Sequence, residues 1–391
     1  MSTFEEQATK AVENSEIPGI VAIAKDKDGN LNYSKTFSRN GGTVYKEDSV
    51  LAIASMTKLM TSIAAVQLVE RGLITLDEDV TPLLPSLAKL EILTGFADDG
   101  TAITHKRTKP ITLRTLLTHS SGVAYGWADP LLLKYIEWKK PDTNADTIDE
   151  AFDQPLVFEP GEGFTYSSSL DRTGQLIEKL TGLGLEEYMK KNIWDPLGMT
   201  STTFSPREHP DIQARKVPMG FRDDKTGAAV ETGEPGWFEK GATCTQAFGG
   251  HGAYSTMADY IKVLHSLLVD DEKLLKKETA ALFFQPQLTP ASKAALLKLS
   301  RSGTDWTIGT FPETDEYDWG LGGILIDGDK HEFRRRNTLI WSGAANTYWF
   351  IDRDAGVCGV FGIQILPTFD AKAKDLITAF EEDVYRRAGK L

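Results

Sequence analysis

Strand-forming segments in this sequence gather at its two ends, and a long helix-rich stretch separates them. Near the start, residues 19–25 (GIVAIAK) are apolar and rich in β-branched side chains. The turn residues Asp28, Gly29 and Asn30 follow, then an alternating run over 31–37, which together read as a β-hairpin. A second apolar strand over 50–54 leads straight into Ser55 and a helical pattern. In that helix Met56, Leu59, Met60, Ile63, Ala64, Val66 and Leu68 form a broad apolar stripe on an amphipathic rod, closed by Gly72. Strand character returns after about residue 319, over 320–326, 338–341, 348–352 and 356–366, before a last amphipathic helix over about 371–386. From about 76 to 245 the text reads as helices and long loops, clearest at 112–118, 170–180 and 185–193. Another helix over 257–268 is opened by Ser255 or Thr256 as its cap. The pattern predicts an α/β fold in which one sheet is assembled from both termini. Residues 1–75 and 246–391 then make a discontinuous sheet domain, and 76–245 a mostly helical inserted domain. No internal repeat, low-complexity segment or separating linker interrupts it.

A chain of 391 residues with 41% apolar and 25% charged residues is long enough and apolar enough to bury a large core. Lys and Arg total 43 against 56 for Asp and Glu, and the net charge of −13 would repel a phosphate backbone. The densest basic run, Arg334–Arg335–Arg336, reads as a solvated strand edge, so no nucleic-acid partner is expected. No apolar run approaches the roughly 18 residues that span a bilayer, and the polar start with Glu5 and Glu6 does not read as a secretory leader. No membrane association is expected. The two cysteines, Cys244 and Cys358, have no CxxC or zinc spacing and read as thiols in a reducing, cytoplasmic setting. The six histidines (His105, His119, His209, His251, His265, His331) are dispersed, read as structural or solvated, and offer no metal-ligand spacing. No cofactor or metal is implied.

Three short patterns carry chemistry. Ser55–Met56–Thr57–Lys58 is an SxxK, as is Ser86–Leu87–Ala88–Lys89, so the pattern alone discriminates little. Context separates the two: Ser86 follows a proline in a loop-like stretch, whereas Ser55 sits where a strand becomes a helix. Unpaired N–H groups and a partial positive charge at a helix start favour a developing oxyanion there. Residues i and i+3 share a helix face, so the Lys58 amine can reach the Ser55 hydroxyl. Against this stands the plainer reading, a capping serine and a solvated lysine. The second pattern is Tyr166–Ser167–Ser168, after the turn residues Glu159–Pro160–Gly161 and before a helix. Its phenol can face a cleft and relay a proton, or simply pack with its hydroxyl satisfied. The third is Trp341–Ser342–Gly343–Ala344, where small residues on an edge strand would let a substrate carbonyl approach the backbone. The Ala344 N–H could be an oxyanion donor there, or the segment could be a plain strand.

In this order and at these separations the three patterns resemble the serine β-lactamase and penicillin-binding-protein superfamily. More narrowly they resemble the class C β-lactamase-like esterases (family VIII), with SxxK, then YxN or YxS, then KTG or WxG. Leu116–Leu117–Thr118–His119–Ser120–Ser121–Gly122 matches a further landmark of that family. Stretches spread over nearly the whole chain, among them Phe248–Gly249–Gly250 and Gly320–Leu321–Gly322–Gly323, are similar to the fungal lovastatin-type acyltransferase and statin-ester hydrolase group. The resemblance implies a serine β-lactamase/penicillin-binding-protein-like fold with an antiparallel sheet. It implies Ser55 as the acylated nucleophile, Lys58 and Tyr166 as the pair that activates it, and the Ser55 and Ala344 amides as the oxyanion hole. Tyr125 would hydrogen-bond in the pocket, with Trp127, His251, Trp341 and Gly343 as further substrate-binding residues. Which of Lys58 and Tyr166 is the base stays open. Trp341 stands where β-lactamases carry the lysine of KTG, and Ser168 where they carry the asparagine of YxN, so antibiotic hydrolysis is not favoured. His251 stands where the acyltransferase is expected to carry glutamine.

The expectation is a serine esterase that hydrolyses a hydrophobic, statin- or polyketide-side-chain-like carboxylic ester through an acyl-enzyme on Ser55. Two alternatives stay open: an acyltransferase moving the acyl group to an alcohol, with an acyl-carrier protein as a candidate donor, and an inactive binding protein on the same fold.

Overall fold

The structure is a computed structural model that describes residues 3–140, 145–233, 246–302 and 306–391; Cys244 lies outside them. Strands β1 (Gly19–Asp26) and β2 (Asn32–Ser38) form the expected N-terminal hairpin, with Gly29 at φ +77° in its turn. The C-terminal strands are β9 (Tyr317–Trp319), β10 (Ile324–Ile326), β11 (Leu339–Gly343), β12 (Thr347–Asp352) and β13 (Val357–Gly362). They join the hairpin in a seven-stranded sheet of order β2-β1-β13-β12-β11-β10-β9, antiparallel throughout. The sheet assembled from both termini is therefore present. Its joint is the β1–β13 ladder, which runs from Val21 opposite Gly362 to Asp26 opposite Val357.

β12 and β13 are buried along their whole length because helices cover both faces. On one face lie the terminal helices Phe4–Glu13 and Ala371–Arg387, joined through Phe4, which meets Phe361 and Phe380 edge-on or tilted at 6.3 and 5.4 Å. A Thr3–Glu6 capping box starts the first helix, and the Asp370 side chain caps the last. On the other face lies the helix Met257–Val269, whose Thr256 side chain accepts from the Asp259 N–H as the predicted cap. Gly362 is tight there: a Cβ would stand 2.5 Å from Met257 Cγ.

The helix Thr57–Glu70 differs from the expected amphipathic rod. Every residue from Thr57 to Leu68 is buried, so it is a central helix packed all round. Its polar members are matched to specific partners: Thr61 Oγ1 donates to the Gly249 carbonyl at 2.7 Å, and Gln67 Nε2 donates to the Asn192 and Leu274 carbonyls at 3.0 Å each.

The 76–245 stretch also carries strands the reading did not anticipate. β4 (Ile92–Phe96) and β5 (Ala102–His105) form a bulged hairpin around Asp99–Gly100, and β6 (Met219–Arg222) and β7 (Ala229–Thr232) a second around Gly227. Both turns carry ordinary turn residues, but the strands are four or five residues long and half-exposed, so their periodicity is faint. The helices expected at 112–118, 170–180 and 185–193 are Leu113–Leu117, Ser169–Thr181 and Leu185–Met189, the last continuing as a wider turn to Trp194. Two short strands complete the set: β3 (Val50–Ala52) pairs with β8 (Tyr254–Thr256), and β14 (Ile365–Leu366) lies parallel to β6.

The basic run is solvated at Arg335 and Arg336 but not at Arg334. Arg334 is buried because Glu381 of the last helix offers it a carboxylate, with Nε and Nη2 donating at 2.8 and 2.7 Å. Tyr348 Oη donates to the same carboxylate at 2.8 Å, which pins the last helix to the sheet. Cys358 is buried in β13, where desolvation pushes its thiol up to about 12. Among the described residues no helix is long and apolar enough to cross a membrane.

Arg334→Met strands the Glu381 charge in the core and is expected to cost about 3–5 kcal/mol in urea unfolding. Arg334→Met/Glu381→Leu is expected to regain most of that loss, since no unpaired charge is left buried.

Candidate active site

The loop between β3 and the central helix is set by one strained residue and one close approach. Ala54 adopts φ +43°, an uncommon value for a residue with a Cβ, and turns the chain into the one-turn helix Ala54–Met56, which holds Ser55 just ahead of Thr57. Thr57 fixes this bend, donating to the Ala54 carbonyl at 2.7 Å and accepting from the Ala253 N–H at 3.1 Å. Across from it lies β11. A Cβ on Gly343 would stand 2.4 Å from the Ile53 carbonyl oxygen, so glycine is required for the two segments to meet. Ala344 follows and packs against the small apolar cluster that includes Ala54 and Tyr254.

β11 is not the edge strand expected from sequence. It lies third from the end of the sheet, paired with β12 along all five residues. Its other neighbour, β10, pairs only with Leu339 and Ile340, because the chain before it, Gly320–Gly323, is the β9–β10 hairpin loop, closed by the Gly320 N–H donating to the Gly323 carbonyl at 2.9 Å. Trp341, Ser342 and Gly343 are thus beyond the β10 ladder on the side facing the Ser55 turn. An interior strand behaves locally as a rim.

Lys58 is buried, and its amine is held by oxygens from three segments. Nζ donates to the Gly250 carbonyl at 2.6 Å and lies 3.3 Å from both Ser55 Oγ and Tyr125 Oη. The Tyr166 ring covers it at 4.6 Å, and the Tyr125 ring lies at 5.4 Å. The Tyr166 hydroxyl accepts from Trp341 Nε1 at 3.3 Å, tying the second pattern to the third. Burial and the nearby Asp171 carboxylate hold the Tyr125 phenol well above its ordinary range, so it is a neutral partner for Lys58.

Of the predicted residues, the structure brings Ser55, Lys58, Tyr125, Tyr166 and Trp341 into one contact set, with Gly343 and Ala344 beside the Ser55 turn. Trp127 stacks on Tyr125 (5.7 Å, 10°) but is 69% exposed, so it stands at the mouth. From Tyr125 a wall of rings runs through Phe152 (5.9 Å) and Phe248 (6.1 Å) to His251 (5.1 Å).

Three residues at the site escaped the sequence reading as functional candidates. Asp171 is fully buried in the first turn of Ser169–Thr181, accepting from the Gly250 N–H at 2.9 Å and lying 3.7 Å from His251 Nδ1. Phe152 and His119 are the others. His119 is buried at φ +56°, its Nδ1 2.7 Å from Ser167 Oγ and its ring 4.7 Å from Tyr166 and 5.1 Å from Trp319. Burial, then the nearby Lys58, push the imidazole well below its ordinary value, so it stays neutral and backs Tyr166 as an uncharged wall. A landmark histidine was visible in the sequence, but nothing there showed what it touches.

A residue of this kind has a pH signature. Unfolded, the imidazole takes a proton near pH 6.5; folded, it does not, so its stabilisation is present above that pH and is lost as pH falls below it. Asn tolerates the left-handed backbone, so His119→Asn is expected to remove up to about 1.4 kcal/mol per pH unit from the acid-side slope of unfolding free energy. Urea unfolding of both proteins from pH 8 to pH 5 reads the difference.

Comparison with known proteins follows the same lines. The Beta-lactamase family profile matches residues 4–381. Lovastatin esterase of Penicillium rubens is 39% identical over 388 residues, covering 96% of each chain. Monacolin J acid methylbutanoyltransferase of Aspergillus terreus is 37% identical over 390 residues, covering 96% of this chain and 93% of that one. Unliganded simvastatin synthase from Aspergillus terreus superposes with a TM-score of 0.91 at 36% identity, over 98% of this chain and 97% of that one.

Proposed function

The chain belongs to the beta-lactamase family, and on that premise we propose that it is a serine esterase forming an acyl-enzyme on Ser55 with a hydrophobic carboxylic ester. The observation that carries this reading is the set of three contacts at Lys58. Lys58 Nζ donates to the Gly250 carbonyl at 2.6 Å and lies within 3.3 Å of the Tyr125 and Ser55 hydroxyl oxygens. The Ser55 hydroxyl is thereby held within proton-transfer reach of the buried amine.

In this reading Ser55 Oγ attacks the ester carbonyl while its proton passes to the Lys58–Tyr166 pair, which acts as one unit. The tetrahedral oxyanion is held by the Ser55 and Ala344 amides. Collapse breaks the bond to the leaving alcohol, which takes the proton, and the acyl group stays on Ser55. Water then adds to the acyl carbon, the carboxylic acid leaves and Ser55 regains its proton. No step needs a metal or cofactor. The wall of Tyr125, Phe152 and Phe248, with Trp127 at the mouth, suits an apolar acyl or alcohol portion such as a statin- or polyketide-side-chain ester.

An acyltransferase reading is supported by the 37% identity to the Aspergillus terreus transferase. In that branch an alcohol replaces water in the second half-reaction, and an acyl-carrier protein is a possible donor. An inactive binding role is disfavoured, because the nucleophile and both proposed activating groups are present and in contact.

Hydrolysis of p-nitrophenyl butyrate tests the proposal. Ser55→Ala is expected to abolish turnover, and Tyr166→Phe to lower the burst rate by about 10²–10⁴-fold. Ser86→Ala, at the other SxxK, is expected to leave it unchanged. Adding a decalin-type alcohol separates the branches: free acid as the main product marks an esterase, a new ester a transferase.

A further inference from the structure

Asp171 is a fully buried carboxylate with one oxygen bonded to the Gly250 N–H and the other, Oδ2, without a hydrogen-bond partner. The carboxylate also lies beside the Tyr125 phenol, so it stands between the Lys58 pocket and the segment that carries His251. The imidazole of His251 lies against it, with Nδ1 3.7 Å from Asp171 Oδ1, a small shift from a hydrogen bond. A proton on Nδ1 facing the carboxylate leaves Nε2 as an acceptor, as a carboxylate-oriented histidine requires. This imidazole ends the ring wall that begins at Trp127 and Tyr125, and one-fifth of its side chain is open to solvent. It also follows Gly250, whose carbonyl holds Lys58.

Resting on the acyl-enzyme reading above, we propose that His251, oriented by Asp171, is the residue that selects the acyl acceptor, holding a water molecule through Nε2 for attack on acylated Ser55. Burial, opposed by Asp171 and aided by Lys58, holds the imidazole below its ordinary value, so near neutrality it accepts a hydrogen bond. In the step, the water oxygen bonds to the acyl carbon as the carbon–Oγ bond breaks. The water proton ends on Ser55 Oγ, and His251 neither gains nor loses one. A larger alcohol must displace this water to compete. The packing is tight, since a Cβ on Gly250 would stand 2.4 Å from Asp171 Oδ2, so the carboxylate has little room to turn away.

The test measures both half-reactions with p-nitrophenyl butyrate in buffer containing benzyl alcohol. The p-nitrophenol burst reads acylation, and chromatography reads the ratio of butyric acid to benzyl butyrate. His251→Ala is expected to slow water deacylation and lower the acid-to-ester ratio by about 10-fold, the worth of one hydrogen bond, with any fall in acylation smaller than that. Asp171→Asn is expected to move the ratio the same way, and His251→Gln, which keeps an acceptor, to recover part of it. Thermal unfolding identifies any variant that fails to fold, and the His251 pair carries the test if Asp171→Asn does. A ratio within about 2-fold of wild type in folded His251→Ala overturns this inference alone. p-Nitrophenol release that survives at the wild-type rate in folded Ser55→Ala overturns the Ser55 reading and this inference with it.

Discussion

The site depends on where the amine of Lys58 is held. Its partners come from the turn before the central helix, from the segment after the Leu116–Gly122 landmark, and from the glycine pair ahead of β8. A buried lysine is tolerated only where each N–H finds an oxygen, so the position of one amine fixes the relative positions of three stretches far apart in sequence. The Tyr166 ring closes the remaining side and is itself fixed by Trp341 below and His119 behind.

Much of the surrounding backbone exists to permit this convergence. Gly249 and Gly250 run so close to the helix Ser169–Thr181 that a Cβ would lie 2.8 Å from the Leu170 carbonyl oxygen at one and 2.4 Å from Asp171 Oδ2 at the other. Gly343 does the same for β11 against Ile53, and Ala54 accepts a left-handed backbone to present Ser55. Strain and close contact of this kind persist only inside a rigid frame. The seven-stranded sheet, buried on both faces and braced by the Arg334–Glu381 pair, supplies it.

How much of this could be read from sequence follows from the range over which each signal acts. Ser55 and Lys58 are three residues apart at a strand-to-helix junction, so local geometry alone made them candidates. Most of the sheet was legible because β1, β11, β12 and β13 are apolar runs near the two ends of the chain, whereas the three-residue β9 was not read and 320–323 of the expected strand is a loop. The Tyr166 and Trp341 patterns were picked out locally, but their roles came only with the family resemblance, since nothing near a lone tyrosine states that a lysine 108 positions earlier lies beneath its ring. Asp171 was invisible for a related reason: it sits in an unbroken buried run from Ser169 to Gly174 where hydrophobic periodicity carries no message. Arg334 was misread as solvated because its partner, Glu381, is 47 residues away. Trp341 to Gly343 were read as an edge because small residues suit one, and the structure meets the same need by ending a neighbouring strand early.

The central claim is that Ser55, activated from Lys58, carries the acyl group. Rapid quench of the enzyme with p-nitrophenyl butyrate, followed by proteolysis and fragment mass spectrometry, locates that group directly. The account predicts a single butyryl addition on Ser55, lost in Lys58→Met. Butyryl found on Ser86, Ser167 or Ser168 instead, or turnover with no covalent addition, would contradict it.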